Sequence, residues 1–153
     1  MRTNSQLSLA LHLLLHMAEM NEPVTSERLA SAMNTNAVVI RRLMGGLRER
    51  GIVQSRKGHH GGWTLSRPLA ELTLRDVYLA LGAGPLLSLT HRTQNPDCLI
   101  EQAVNETLDG AFRDAEALLL ARFGEVSLAA LQSRVHAATR GPAHLCLEGK
   151  TAP

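Results

Sequence analysis

The sequence predicts a mainly α-helical fold that carries one small β-hairpin and adds a long helix set apart from the compact part. Three observations predict it. Apolar residues recur at helical spacing through most of the chain up to Arg50, and a glycine-rich turn between two β-like runs follows directly. A further apolar stripe at three-and-four spacing starts after Pro96. The chain has 153 residues, 44% apolar and 20% charged, ordinary proportions for a globular protein with one main core. Aromatic residues make up only 3%, so that core is built from Leu, Val, Ile, Ala and Met.

The first helix is expected from Asn4 or Ser5 to Met20, with Leu7, Leu11, Leu14, Leu15 and Ala18 as apolar positions. Arg2 precedes an apolar run, but His12 and His16 interrupt it and no small-residue cleavage site follows. A soluble helix is therefore expected, not a signal peptide or membrane span. "NEPVT" breaks it, and Thr25 or Ser26 is a natural N-cap for a second helix, "SERLASAM". After a tight "NTN" connection, a third helix is expected from about Asn36 to Arg50. Val39, Ile40, Leu43 and Leu47 form its apolar face, and Gly51 closes it. Gly45 and Gly46 are unusual inside a helix; close approach to another backbone or a local kink would each account for them.

Two short helices joined by a very short turn, behind a supporting helix, form the helix-turn-helix pattern. "IVQSR" and "GWTLS" then flank "KGHHG"; its Gly58 and Gly61, with Gly62 just after it, supply the backbone freedom of a hairpin tip. A hairpin directly after the third helix is the wing of a winged helix-turn-helix domain. Further on, Thr73 and Asp76 make a capping pair for "ELTLRDVYLALG", and Gly82 to Asn95 is irregular. The long helix is expected from Pro96–Asp97 to about Phe123, striped by Ile100, Val104, Leu108, Ala111, Ala115, Leu118 and Leu119. A single-striped helix of this length usually finds a partner helix, so it is expected to dimerise; packing back on its own domain is the alternative. Ser127 begins a last short helix. The expected organisation is a winged helix-turn-helix domain over 1–82, a connecting loop over 83–96, dimerisation helices over 97–138 and a loose tail over 139–153.

Charge divides the chain at Pro68. Up to it stand nine basic residues against four acidic ones, whereas the remainder is net acidic. A basic half joined to an acidic half fits a protein whose first part meets a polyanion. The glycine-rich turn lacks the Lys-Ser/Thr pair of a phosphate loop, so His59 and His60 read as wing residues. Adjacent hairpin side chains diverge, which argues against a metal at that pair. His12 and His16 stand at i, i+4 but lack the glutamate of a metalloprotease motif. No Ser-His-Asp, paired-carboxylate or zinc motif supports an enzyme. Two isolated cysteines favour a reducing compartment, hence a cytoplasmic protein.

The run "VIRRLMGGLRERGIVQSRKGHHGGWTLSRP" followed by "ELTLRDVYLAL" resembles the bacterial Rrf-two family. These winged-helix transcription regulators include the iron–sulfur cluster regulator and the nitrite-sensitive repressor. The likeness covers nearly the whole chain and is most specific at the wing, where the family carries Arg-Gly-x-x-Gly-Gly-aromatic. Lys57 stands here for that arginine and Trp63 for the usual tyrosine. The resemblance implies a homodimer on a near-palindromic operator in double-stranded DNA, with long helices crossing between subunits. Val38, Arg41 and Arg42 match positions that face the major groove, where an arginine fork suits guanine and valine suits a thymine methyl. Contact by both arginines to phosphate alone is the plainer reading. Asn36 is expected to cap the third helix and touch phosphate, Arg56 and Lys57 to contact phosphate, and His59 and His60 to point at a phosphate or into the minor groove.

Family members often hold a two-iron two-sulfur cluster by three cysteines in the loop entering the long helix. This chain has only Cys98 there, Glu101 where one branch carries a histidine ligand, and Cys146 in the tail, so no cluster or other cofactor is expected. Asp97 is the expected cap of the long helix, which would put the Cys98 sulfur in its first turn, where backbone N–H groups stabilise a thiolate. A redox switch at Cys98, with Cys146 or the partner subunit's Cys98 as resolving thiol, stands beside an inert cysteine and beside a small-molecule effector between the wing domain and the long helix. The expected function is a homodimeric DNA-binding regulator, a repressor. The alternative is a winged-helix module that meets a partner protein.

Overall fold

The structure is a computed structural model that describes residues 3–20, 22–82, 84, 86, 87 and 95–138. Cys146, the expected tail and most of the connecting loop lie outside the described residues. Helix α1 (Thr3–Ala18) turns Leu7, Ala10, Leu13, Leu14 and Met17 into the core. It ends two residues before the expected Met20. Helix α2 (Ser26–Ala32) starts where Thr25 caps it, the Thr25 Oγ1 accepting from Arg28 N at 3.2 Å. Asn34 then takes a φ of 49°, a left-handed conformation that asparagine tolerates better than most side chains. Helix α3 (Ala37–Glu49) opens on Asn36, whose Oδ1 accepts from Val38 N at 2.8 Å. Gly51, at φ 67°, reverses the chain after it.

The hairpin pairs β1 (Val53–Arg56) with β2 (Gly62–Leu65) antiparallel, from Val53 opposite Leu65 to Arg56 opposite Gly62. A third rung, from before α2, anchors it to the body of the domain. Trp63 N donates to Val24 O at 2.8 Å, and Val24 N donates to Trp63 O at 3.1 Å. The Trp63 indole also donates to the Ser26 Oγ at 2.9 Å, which satisfies a buried hydroxyl. The wing is thus held by main chain and side chain alike.

The core face of α3 is Ile40, Leu43, Met44 and Leu47. The expected face included Val39, which is only half-buried; Met44 takes the place because it lies with Ile40, Leu43 and Leu47 on the i, i+3, i+4, i+7 stripe. Gly46 accounts for itself: a Cβ there would come 2.8 Å from the Ala80 carbonyl oxygen, at the end of α4 (Leu74–Ala80). Gly45 faces open space, and nothing in the structure explains it. Helix α4 carries the expected capping box, the Thr73 Oγ1 accepting from Asp76 N and Asp76 Oδ2 from Thr73 N. A 3-10 turn, Leu69–Glu71, which no sequence pattern marked, leads into it.

Helix α5 (Leu99–Gly124) runs for 26 residues without burying one of them. Only near its end do Leu120 and Phe123 rest on the core, Phe123 edge-on to Tyr78 with ring centroids 6.4 Å apart. Helix α6 (Leu128–Ala138), grouped by the sequence with the long helix, returns to the wing domain: Leu128 is fully buried, and its N–H donates to Leu72 O at 2.8 Å. Glu19 at the end of α1 accepts from Gln132 of α6 and lies 2.8 Å from His136 Nε2.

His16 faces His12 on α1, their Nε2 atoms 2.9 Å apart, with His16 buried and His12 exposed. Burial pushes the His16 pKa down, the neighbouring His12 adds to that, and Glu19 opposes it. The unfolded chain therefore takes up a proton, as pH falls through about 6.5, that the folded chain refuses. Stability is expected to decline from that pH downward, by at most about 1.4 kcal/mol per pH unit for one proton. Urea midpoints between neutral and mildly acidic pH should show the slope in the wild type and lose it in His16→Leu. An equal slope in both proteins would assign the acid sensitivity to other groups.

Candidate nucleic-acid interface

The sequence-predicted site residues fall into two adjoining groups and one distant one. Asn36, Val38, Arg41 and Arg42 lie on the first two turns of α3, all exposed. Val38 is 64% exposed, a large apolar side chain presented to solvent beside two arginines. Such a residue gains nothing from folding and is suited to an apolar contact outside the chain. Asn36 spends its side-chain oxygen on the cap, as expected, which leaves its amide group for an external acceptor.

Arg56, Lys57, His59 and His60 form the second group, exposed at the end of β1 and across the tip. The tip is tightly built. Gly61 N donates to Gly58 O at 2.9 Å, and a Cβ on Gly61 would fall 2.4 Å from the Arg56 carbonyl oxygen. Helix α3 runs into β1 through Arg50, Gly51 and Ile52 alone, so both groups are carried by one continuous unit.

Positive charge on this unit is unevenly free. Arg28 pairs with Glu22 at 2.9 Å, Arg67 with Glu71 at 3.7 Å, and the Arg41 Nη2 donates to Glu27 Oε1 across from α2. Among the described residues no carboxylate pairs with Arg42, Arg56 or Lys57. The Glu27 partnership escaped the sequence reading because 14 residues separate the pair, beyond any local spacing rule.

Cys98 lies apart from both groups and differs from expectation. It is itself the N-cap of α5, and no side chain caps the helix. Its N–H donates to Asn95 O at 2.9 Å, and its carbonyl accepts from Gln102 N at 3.0 Å. The expected cap at Asp97 is therefore displaced by one residue, and the sulfur precedes the first turn instead of sitting in it. The donor set does not fit a two-iron two-sulfur cluster. The chain has two cysteines, and among the described residues no three His, Cys, Asp or Glu side chains converge on a metal-sized site. Nor is any described helix long and apolar enough to cross a membrane.

Comparison with known proteins agrees with this geometry. The family described as Rrf2, an iron-dependent transcriptional regulator, matches residues 3–134. The chain is 34% identical over 113 residues to YwnA of Bacillus subtilis (strain 168), named as an HTH-type transcriptional regulator, covering 74% of this chain and 84% of YwnA. A crystal structure named as a transcriptional regulator from Lactobacillus plantarum superposes with a TM-score of 0.73 at 27% identity, over 86% of this chain and 89% of that one. Another, named as a DNA-binding protein, gives 0.67 at 28% over 82% and 97%. The cysteine regulator CymR of B. subtilis shares the fold, at TM-score 0.57 and 20% identity over 82% of this chain and 90% of its own. With a winged helix whose α3 and hairpin present exposed basic residues, and with nearly the whole described chain matched, this protein belongs to the Rrf2 family of DNA-binding transcriptional regulators.

Proposed function

We propose that the chain is a cytoplasmic, homodimeric repressor that reads a near-palindromic operator, α3 entering the major groove and the wing lying along the adjoining backbone. The observation that carries this reading is the exposed set Val38, Arg41 and Arg42 on the first turns of α3, next to a wing tip whose Arg56 and Lys57 have no carboxylate partner among the described residues. Arg42 is the stronger candidate for a guanine edge because no carboxylate among the described residues pairs with it; Val38 suits a thymine methyl beside it. Asn36, Arg56, Lys57, His59 and His60 then serve the phosphates and the minor groove, fixing register. For a dimer, the partner surface is the open groove on α5 lined by Leu99, Ile100, Ala103, Val104, Thr107 and Leu108.

The test is selection of bound fragments from a genomic pool, followed by titration of the recovered operator. Arg42→Ala is expected to cost about 1–3 kcal/mol on the operator and to relax its base preference at one position in each half-site. An inverted repeat bound equally well by Arg42→Ala would remove α3 from the reading role. No enriched DNA at low salt would move the chain to the protein-interaction class. The input is either oxidation of Cys98, half-exposed at the start of α5, or a small molecule between the wing domain and α5. Titration of reduced and mildly oxidised protein, wild type and Cys98→Ser, separates them.

A further inference from the structure

Two neighbouring arginines on α3 differ in one respect: Arg42 is unpaired among the described residues, whereas Arg41 donates to Glu27. The pair joins α2 to α3, and its geometry is built in. Thr25 caps one helix, Asn36 caps the other, and the left-handed Asn34 sets the turn between them. Both side chains stay more than half exposed, so the pair sits on the surface that α3 offers to a partner. Its own backbone N–H, and after that the Arg41 guanidinium, hold the Glu27 carboxyl below the usual carboxylate range.

We propose that Glu27 is a built-in brake on DNA affinity that acts through Arg41, an inference that rests on the DNA-binding reading above. To reach a phosphate or a base edge, Arg41 must release Glu27. The freed carboxylate then faces the phosphates of the same duplex. Both effects weaken binding, and both fade as salt screens them. The brake lowers affinity without raising selectivity. On DNA that offers Arg41 nothing better than Glu27, the pair stays closed and exacts no cost. Removing Glu27 therefore helps the operator at least as much as it helps DNA of mixed sequence.

The experiment titrates the full-length wild type, Glu27→Gln, Arg41→Ala and the double variant against the recovered operator and a mixed-sequence duplex over a range of salt. Glu27→Gln is expected to tighten operator binding about two- to fivefold at low salt, the scale of an exposed ion pair. That gain should shrink toward none at high salt and be clearly smaller in the Arg41→Ala background, where only the repulsion between Glu27 and the phosphates remains. An unchanged operator affinity overturns the proposal. So does an equal gain without Arg41, which would mean general charge removal, or a gain larger on mixed-sequence DNA than on the operator. In each of those cases the DNA-binding reading stands. If the wild type binds neither duplex at low salt, that reading falls and the brake falls with it.

Discussion

Gly62→Ala should release the wing from the body of the domain. Gly62 opens β2 at a φ of 151°, and a Cβ there would lie 2.7 Å from the Val24 carbonyl carbon and oxygen and 2.9 Å from its nitrogen. These are backbone atoms, which no rotamer change can move aside. The strand must retreat from Val24, and the two main-chain hydrogen bonds between Val24 and Trp63 go with it. Backbone strain of about 1–3 kcal/mol and roughly 1 kcal/mol for each lost hydrogen bond put the cost at about 3 kcal/mol or more. That is a large part of the stability of a small domain. Trp63 is the only tryptophan in the chain and sits at the break, so its emission reports the event directly. A lower denaturation midpoint with red-shifted emission is the expected result. A variant with wild-type midpoint and emission would show that the Val24 rung is not what holds the wing.

The contrast between that rung and the hairpin itself shows how much was legible in the sequence. Caps and turns are local chemistry, so Thr25, Asn36, Gly51, the Thr73–Asp76 box and the glycine-rich tip could each be assigned from a few neighbouring letters, and the structure places them so. The exposed α3 face was legible for the same reason, because helical spacing decides which residues share a side. Spacing does not say what that side meets. The Val24–Trp63 rung, the Trp63–Ser26 hydrogen bond and the Glu27–Arg41 pair each join residues far apart in sequence, and no periodicity marks them. The same limit explains α6. Its sequence reads only as a last short helix after Ser127, and the fully buried Leu128 and its hydrogen bond to Leu72 show that it packs on the wing domain. At Cys98 the shift of one residue arises because Asp97 and Cys98 are both compatible with a helix start.

On the proposed pairing of two copies through α5, Ile100→Glu combined with Val104→Glu should leave the fold intact and abolish the dimer. Leu99 and Ile100 are 78% and 77% exposed and Val104 is 51% exposed, a run of large apolar side chains outside the core of the described residues. Covering such a side chain fully is worth about 1.5–3 kcal/mol, so a few of them meeting their equivalents can hold a dimer together. Glutamates at the same positions would bring like charges face to face in a seam that excludes water. Because these residues belong to no core among the described residues, the Trp63 emission and the denaturation midpoint should stay at wild-type values. Sedimentation should show a monomer. Binding to an inverted repeat should then weaken by about 10²–10⁴, since the second half-site is no longer held at high effective concentration. The two readouts must move together. A variant that sediments as a dimer would place the partner surface elsewhere on the chain, and a monomer that keeps full operator affinity would show that one subunit suffices to read the site.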